Sequence, residues 1–239
     1  YCELLDEEIR EIGQDQLLGD LERINMNARH LLGLINDVLD LSKIEAQKME
    51  VHAVETPVSR LLDEVEAAAG GLMGANDNRF VVSRNGGPDS LLVDDLKVKQ
   101  ILLNLIGNAA KFTANGTVRL DVEGDRLAEA DAVSFRVSDS GIGMTQEQVD
   151  NLFQRFRQAD ETTTRKYGGT GLGLSVTRGL VTLLGGEIRV ESEPGQGTRF
   201  TVVIPTRYRK KAQAAPAAAQ SASPESPAAV QGVVLVVDD

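Results

Sequence analysis

The sequence predicts an α+β protein in which a long amphipathic helix precedes a mixed domain of paired strands and separate helices. Three observations support this fold class. An apolar residue recurs every three or four positions between Leu17 and Ser42, short segments further along alternate apolar and polar residues, and helical patterns separate the strand pairs. Because the strands come as adjacent pairs, we expect an α/β sandwich and not a parallel doubly wound sheet.

Residues 1–48 have the pattern of an antiparallel helical hairpin. A helical segment from Leu4 to Ile12 is separated by Gly13–Asp15 from the long helix, whose apolar stripe is formed by Leu17, Leu21, Ile24, Ala28, Leu31, Ile35 and Val38. Two helices alone bury too little apolar surface, so we expect a homodimer in which two hairpins form a four-helix bundle. The alternative is that the stripe packs against the chain's own second domain.

Residues 49–206 are predicted to form the α/β sandwich. The alternating segments in it are Thr117–Glu123, Val133–Val137, Glu187–Glu191 and Thr198–Ile204. Residues 207–231 are rich in Ala, Pro and Ser and contain too few large apolar side chains to fold, so they are predicted to be a disordered linker. Residues 232–239 have the pattern of a strand that ends in two acidic residues.

Composition excludes several classes of function. A net charge of −11 argues against a nucleic-acid partner, because phosphate backbones require a basic surface. One cysteine and two histidines provide neither a disulfide framework nor a zinc cluster. The sequence contains no apolar run of about 20 residues and no signal peptide, so we expect a cytoplasmic location, with membrane attachment only through regions outside this sequence, if at all.

A helix beginning after Asp94 or Asp95 carries a polar stripe beside its apolar face. At about 100° per residue, Asn104, Asn108 and Lys111 fall on one flank of this helix. Two amides and a cation in one row are either ordinary solvated surface or the lining of a ligand site. The residue pattern of this helix alone does not decide between the two.

Two glycine-rich segments favour a ligand site. Asp139–Gly143 lies where a predicted strand ends, and an ionised Asp139 can accept a hydrogen bond from an exocyclic amine such as that of adenine. Gly168–Leu174 leads into an apolar helix, and free N–H groups at a helix N-terminus can bind phosphate. No Lys-Ser/Thr pair follows these glycines, which excludes the Walker loop.

Several of these segments together resemble the sensor histidine kinases. The motifs and their counterparts in that family, in chain order, are Gln100–Thr113 (N box), Asp139–Gly143 (G1 box), Phe153 with Phe156 (F box), Gln158–Asp160 and Thr164–Gly169 (lid), Gly169–Gly173 (G2 box) and Gly195–Thr198 (last glycine turn). The resemblance covers nearly the whole chain. It implies the Bergerat-type (GHKL) ATP-binding sandwich, and it identifies residues 1–48 as part of the dimerisation and phosphotransfer hairpin.

The resemblance also implies roles for individual residues. Asn108 would bind the Mg²⁺ that bridges the ATP phosphates, Asn104 would support it, and Lys111 would contact a phosphate. Asp139 would bind the adenine amine. The remaining nucleotide-binding positions implied by the resemblance are Gly141, Gly143, Arg165, Lys166, Gly169, Thr170, Gly171, Leu172 and Gly173. Phe153 and Phe156 are interpreted as lid packing, with ordinary core aromatics as an equally good alternative.

One position distinguishes a kinase from a hydrolase. Type II topoisomerases, mismatch-repair ATPases and heat-shock chaperones of the same fold resemble one another in placing a Glu, the general base toward water, one helical turn before the metal-binding Asn. Asn104 occupies that position here. The resemblance therefore implies transfer of the γ-phosphate of ATP to a protein histidine and onward to a response-regulator aspartate. The alternative is a non-catalytic dimeric scaffold with a degenerate ATP fold.

Neither histidine of the sequence is predicted to accept the phosphate. His52 begins a segment that resembles the family's H box, but Ala53 replaces the carboxylate that follows the acceptor, and the neighbouring residues alternate like a strand. His30 is interpreted as a surface residue of the long helix. We therefore expect no catalytic residue in this sequence and an acceptor histidine about a dozen residues before Tyr1, some three helical turns upstream.

The C-terminal segment predicts a further partner. Val233–Asp239 resembles the first strand of a receiver domain, with Asp238 and Asp239 as its metal-binding acidic pair. This resemblance indicates a hybrid kinase whose partner is a response-regulator receiver domain, either its own or on a separate protein.

Overall fold

The computed structural model of the protein describes Leu5, residues 15–153 and residues 171–209. Its helices are α1 (Asp15–Glu45), α2 (Val58–Met73), α3 (Asp95–Phe112), α4 (Gln146–Asn151) and α5 (Gly173–Leu183). Its strands are β1 (Val54–Pro57), β2 (Arg79–Asn85), β3 (Ser90–Val93), β4 (Thr117–Leu127), β5 (Ala130–Asp139), β6 (Glu187–Glu193) and β7 (Gly197–Pro205). No helix within these ranges is long and apolar enough to cross a bilayer.

Strands β2, β4, β5, β7 and β6 form a five-stranded mixed sheet in that order. The predicted pairs β4–β5 and β6–β7 are antiparallel neighbours, and β5 also pairs antiparallel with β7. Strand β2 joins the edge of the sheet parallel to β4, and β1 pairs with β3 in a separate two-stranded sheet. The α/β sandwich expected from the sequence is confirmed.

The core lies between one face of the five-stranded sheet and the layer of helices α2, α3 and α5. Alternate residues of the central strands point into it, so Val118, Leu120 and Val122 of β4 are all buried. The buried face of α3 is formed by Val98, Ile101, Leu102, Leu105, Ile106, Ala109 and Ala110. This packing confirms that α3 has a buried apolar face, although Phe112, which the helical spacing also assigns to that face, is only half-buried.

Helix α1 confirms the predicted long helix and contacts the sandwich through its C-terminal turns. Ile44 packs against α5, where a Cβ on Gly179 would lie 3.0 Å from Ile44 Cδ1, and Gln100 Nε2 donates to Asp40 Oδ2 at 3.0 Å. Nearer its N-terminus, apolar side chains are 45–63% exposed: Leu17, Ile24, Met26, Leu31, Leu32, Ile35, Val38 and Leu39. The C-terminal end of α1 therefore packs on the chain's own domain, whereas these exposed side chains do not.

One prediction for the N-terminal segment differs from the structure, and other predictions for the N-terminal and C-terminal segments concern residues outside the described ranges. The segment around His52, expected to enter a strand, has no regular structure, and β1 begins at Val54. Apart from Leu5, the first helical segment of the predicted hairpin lies outside the described residues, as do the linker from Lys210 onward and the C-terminal strand. The hairpin and the receiver segment therefore remain predictions.

Candidate nucleotide-binding site

Helix α3 carries the predicted amides and lysine, and a buried carboxylate caps its start. Asp94 accepts hydrogen bonds from the backbone N–H of Lys97 at 3.1 Å, from Lys97 Nζ at 2.6 Å and from the backbone N–H of His52 at 2.9 Å. Burial raises the pKa of Asp94, but the bonds from Lys97 and His52 outweigh burial and hold this pKa below its ordinary value. Of the two candidate caps, the structure selects Asp94.

Two asparagines fix the other end of α3. Asn78 Nδ2 donates to the carbonyl oxygens of Ala110 at 2.9 Å and Thr113 at 2.8 Å, and Asn76 Nδ2 donates to that of Ala110 at 3.0 Å. These bonds satisfy carbonyls that would otherwise be unpaired at a helix C-terminus. The last turn of α3, which bears Lys111, is thereby held against the start of β2.

Asn104, Asn108 and Lys111 line one cavity of about 400 Å³. The other lining residues are Ala68, Leu72, Leu103 and Gly107. Burial lowers the pKa of Lys111, whose Nζ lies 5.0 Å from the centre of the Phe112 ring. A partly desolvated ammonium gains more from a bound anion than a hydrated one does, so this cavity suits a phosphate.

Asp139 lies at the end of β5 with one carboxylate oxygen engaged by the protein. Its Oδ1 accepts from the N–H of Gly141 at 2.8 Å, from the N–H of Thr198 at 3.3 Å and from Thr113 Oγ1 at 3.5 Å. Burial raises the pKa of Asp139 above its ordinary value, although these three bonds act in the opposite direction. Within the described chain, Oδ2 accepts no hydrogen bond and is available to an amine donor.

The glycines of the turn after β5 permit backbone contacts that a side chain would block. A Cβ on Gly141 would collide with the carbonyl oxygen of Phe112, and one on Gly143, whose φ is +63°, with that of Glu193. Gly197, at φ +87°, is packed in the same way against the carbonyl oxygen of Asp139. The turn bearing Asp139 is therefore wedged between the end of α3 and the β6–β7 turn.

The second glycine cluster enters α5 next to α3. Gly171 has a φ of +69°, Leu172 is 1% exposed, and α5 begins at Gly173. A Cβ on Gly173 would lie 2.7 Å from Asn104 Oδ1, and Asn104 Nδ2 donates to Thr177 Oγ1 at 2.6 Å. The structure thus brings the N-terminus of α5 to the polar flank of α3, as phosphate binding at a helix start requires.

Several predicted site residues lie outside the described residues. They are Arg165, Lys166, Gly169 and Thr170 of the lid, Phe156, and the acidic pair Asp238 and Asp239. The other predicted aromatic, Phe153, is half-buried against the core, and the guanidinium carbon of Arg178 lies 5.4 Å from the centre of its ring. This environment fits both interpretations of Phe153, packing beneath a lid and an ordinary core aromatic.

Three hydroxyl-bearing residues of the site were not predicted from the sequence. Thr113 and Thr198 bond Asp139, and Thr177 bonds Asn104. Thr113 closes the Gln100–Thr113 motif and Thr198 closes the last glycine turn, so these two positions could have been singled out. No sequence signal pointed to Thr177.

A second cavity, of about 760 Å³, contains none of the predicted site residues. It lies beside β3 and the β4–β5 hairpin, and its lining mixes the acidic Glu55 and Asp131 with the basic Arg126 and Arg207. This cavity is larger than the one beside α3, but the acidic residues in its lining make it a poorer candidate for a phosphate-bearing ligand.

The residues present fit a magnesium ion that is shared with a phosphate ligand. Among the described residues, no group of three or more His, Cys, Asp or Glu side chains could hold a metal alone. The Asn108 carboxamide offers one hard oxygen beside the Lys111 ammonium. Mg²⁺ is commonly held by one or two protein oxygens together with substrate phosphates and water, which is what this lining can provide.

Comparisons with known proteins identify the family to which this fold belongs. Residues 93–208 match the family described as histidine kinase-, DNA gyrase B-, and HSP90-like ATPase. The chain is 39% identical over 184 residues to the signal transduction histidine-protein kinase BarA of Escherichia coli (strain K12), covering 75% of this chain and 20% of BarA. It is 33% identical over 241 residues to the autoinducer 2 sensor kinase/phosphatase LuxQ of Vibrio parahaemolyticus, covering 95% of this chain and 28% of LuxQ.

A solved structure gives the same result for the fold. The full-length kinase ShkA in complex with AMPPNP superposes with a TM-score of 0.68 and 28% sequence identity over 83% of this chain and 40% of ShkA. The chain spans less than a third of the two curated relatives, at 20% and 28%. From the fold, the site and these similarities we conclude that the chain carries the GHKL ATP-binding domain of a sensor histidine kinase.

Proposed function

We propose that this chain binds Mg-ATP in the cavity beside α3 and uses it to phosphorylate a protein histidine in a two-component phosphorelay. The observation that carries the proposal is the convergence of Asn104, Asn108 and Lys111 on one cavity next to the start of α5. The phosphate group would pass from histidine to an aspartate of a response-regulator receiver domain, either the protein's own or on a separate protein.

We propose a role for each of these side chains. Asp139 Oδ2 would accept a hydrogen bond from the adenine amine, and the Lys111 ammonium would bind a phosphate oxygen. Asn108 would be a ligand of Mg²⁺, which would neutralise charge that develops on the phosphates. In the transfer itself, a histidine nitrogen forms a bond to the γ-phosphorus as the bond to the bridging oxygen breaks, and ADP leaves.

The lining of the cavity favours transfer over hydrolysis. None of the described residues that line it carries a carboxylate, and the position one turn before Asn108 is the amide Asn104. A carboxamide has no basic oxygen able to take a proton from water at neutral pH. We therefore expect ATP to persist in the site until a better nucleophile reaches it.

We propose further that the acceptor is neither of the two histidines of this sequence. His52 lies in the irregular segment before β1, and its backbone N–H is bound to Asp94. Its imidazole is largely exposed and lies 3.8 Å from Glu50. His30 lies within α1, where no residue of the acceptor motif accompanies it. A histidine helix preceding Tyr1 would supply the nucleophile.

We also propose that the protein acts as a homodimer in the cytoplasm. The exposed apolar side chains of α1 include Leu17, Ile24, Leu31, Ile35 and Val38 of the predicted stripe, and a contiguous exposed apolar surface of this kind marks an interaction site. A second copy of the same hairpin covers such a stripe by symmetric packing.

Labelled ATP tests the kinase assignment directly. The chain extended upstream through its preceding helix should gain phosphate that is labile in acid and stable in base, the behaviour of phosphohistidine, with little release of inorganic phosphate. Steady release of inorganic phosphate without labelled protein would indicate a hydrolase. Absence of nucleotide binding as well as labelling would favour the non-catalytic scaffold.

A further inference from the structure

The side-chain amide of Asn104 is enclosed by two residues of α5 that lie one helical turn apart. Asn104 Nδ2 donates to Thr177 Oγ1 at 2.6 Å, and Asn104 Oδ1 lies 2.7 Å from the position that a Cβ on Gly173 would occupy. The amide nitrogen and carbon of Asn104 are also within 3.3 Å of that position, so the absence of a side chain at Gly173 leaves room for the whole amide group, which Thr177 binds through its nitrogen.

The contact between Asn104 and Thr177 joins a side chain at the wall of the cavity to a buried hydroxyl. Thr177 is 1% exposed, whereas Asn104 is half-buried and lines the cavity with Asn108. The bond from Asn104 Nδ2 to this buried hydroxyl holds the amide of Asn104 in place beside the start of α5 and leaves Oδ1 outside the bond. An Oδ1 atom held there can bind a water molecule of a hydrated metal ion.

We propose that Thr177 is a positioning residue that holds Asn104 in the orientation required for Mg-nucleotide binding. The hydroxyl acts through Asn104 and does not itself contact the ligand. This inference rests on the proposed function, because it concerns the same Mg-ATP site. It adds that α5, the helix that follows the glycine-rich lid, sets the conformation of a side chain on α3, so that a displacement of α5 would change metal affinity.

A purely structural role for Thr177 predicts a different result. If the hydroxyl only satisfies a buried polar group, its removal lowers the melting temperature but leaves the magnesium dependence of nucleotide binding unchanged. If it positions Asn104, its removal weakens the magnesium-dependent part of the affinity. Loss of groups that orient metal-binding side chains typically weakens metal affinity about tenfold or more.

The test compares three substitutions on α5 in the full 239-residue chain. Thr177→Val keeps the side-chain shape without the hydroxyl, Thr177→Ser keeps the hydroxyl, and Thr182→Val is the matched control. Thr182 lies on the exposed side of the same helix and bonds the carbonyl of Arg178 at 2.9 Å. AMPPNP is titrated by calorimetry in excess Mg²⁺ and again in a chelator, and melting temperatures are recorded.

We expect Thr177→Val to bind AMPPNP about tenfold more weakly in Mg²⁺ and nearly normally in the chelator. Thr177→Ser and Thr182→Val should bind within about twofold of wild type. The effect of Thr177→Val should disappear when Asn104→Ala is also present, since the hydroxyl then has no amide to orient. If Thr177→Val does not fold, Thr177→Ala, which also removes the hydroxyl, should show the same magnesium-specific loss.

The inference would be overturned if Thr177→Val, or Thr177→Ala where Thr177→Val does not fold, kept wild-type affinity and magnesium dependence. A loss that persists unchanged in the Asn104→Ala background would also overturn it. Failure of the wild-type chain to bind AMPPNP at all would instead reject the proposed function, so the two failures are distinguishable.

Discussion

The backbone N–H of Gly141 donates to Asp139 Oδ1 at 2.8 Å, which fixes the carboxylate where β5 ends. This bond occupies one oxygen and leaves Oδ2 for a ligand. A side chain at Gly141 would collide with the carbonyl oxygen of Phe112, so the same turn also requires glycine. The proposed adenine contact therefore depends on both residues, and it is testable through the unusual titration of Asp139.

Asp139→Asn should weaken ATP binding about tenfold to a hundredfold, the usual worth of a hydrogen bond to a charged group. In wild type, ATP affinity should fall as pH falls through the raised pKa of Asp139, because a proton on Oδ2 would turn this oxygen from an acceptor of the amine hydrogen bond into a donor. The variant should not show this pH dependence. Calorimetry across the mildly acidic range measures both effects.

A fall in pH, which should weaken ATP binding, should instead increase the contribution of Asp139 to the free energy of unfolding. Because the folded-state pKa of Asp139 is raised, its contribution to the free energy of unfolding is favourable below the ordinary carboxyl pKa and is lost as pH rises through the folded pKa. Asp139→Asn should therefore melt no earlier than wild type near neutral pH. Asp125→Asn, an exposed residue of the β4–β5 hairpin, is the control for charge removal. Unchanged ATP affinity in Asp139→Asn would refute the adenine assignment.

Asn108→Ala should remove the magnesium dependence of ATP binding. The Asn108 amide is the proposed protein ligand of the metal, whereas Asp139 and Lys111 contact the nucleotide without it. We expect binding in Mg²⁺ to fall to about the level seen in a chelator, a loss of tenfold or more. Asn85→Ala, at the exposed end of β2, should behave like wild type. Retention of the full magnesium effect in Asn108→Ala would contradict the assignment.

The polar stripe of α3 could be predicted because it depends on local helical spacing and on motifs that are contiguous in sequence. Asn104, Asn108 and Lys111 needed only the period of one helix, and Asp139 needed only the end of one strand. The Asn104–Thr177 bond joins residues 73 positions apart, and no local pattern encodes such a contact. The parallel pairing of β2 with β4 is also non-local, and β2 is an edge strand without clear alternation.

Leu31→Asp should disrupt the homodimer. Leu31 is 58% exposed on α1, and a charge at that position would be buried unpaired in a four-helix bundle. Light scattering should show wild-type dimer at high concentration and monomer for the variant. Leu96→Asp is the control for a charge at an exposed leucine outside α1, because Leu96 is 68% exposed on α3. Monomeric wild type with α1 folded would contradict the predicted interface.

The 239-residue chain should not label itself with ATP. His52 lies outside any helix and its neighbour is Ala53, so it lacks the adjacent carboxylate that the family uses as a base. Incubation with γ-labelled ATP should leave no acid-labile, base-stable phosphate on this chain. Label that disappears in His30→Gln or His52→Gln would show that the acceptor assignment is wrong.

The most direct test of the proposed Mg-ATP site is calorimetric titration of ATP into the wild-type chain near neutral pH, with Mg²⁺ and with a chelator. The site described here predicts one nucleotide per chain, tighter binding in Mg²⁺, and loss of measurable binding when Asp139→Asn and Asn108→Ala are combined. Absence of binding by the folded wild-type chain at millimolar ATP, or unchanged binding by the double variant, would contradict the proposed Mg-ATP site.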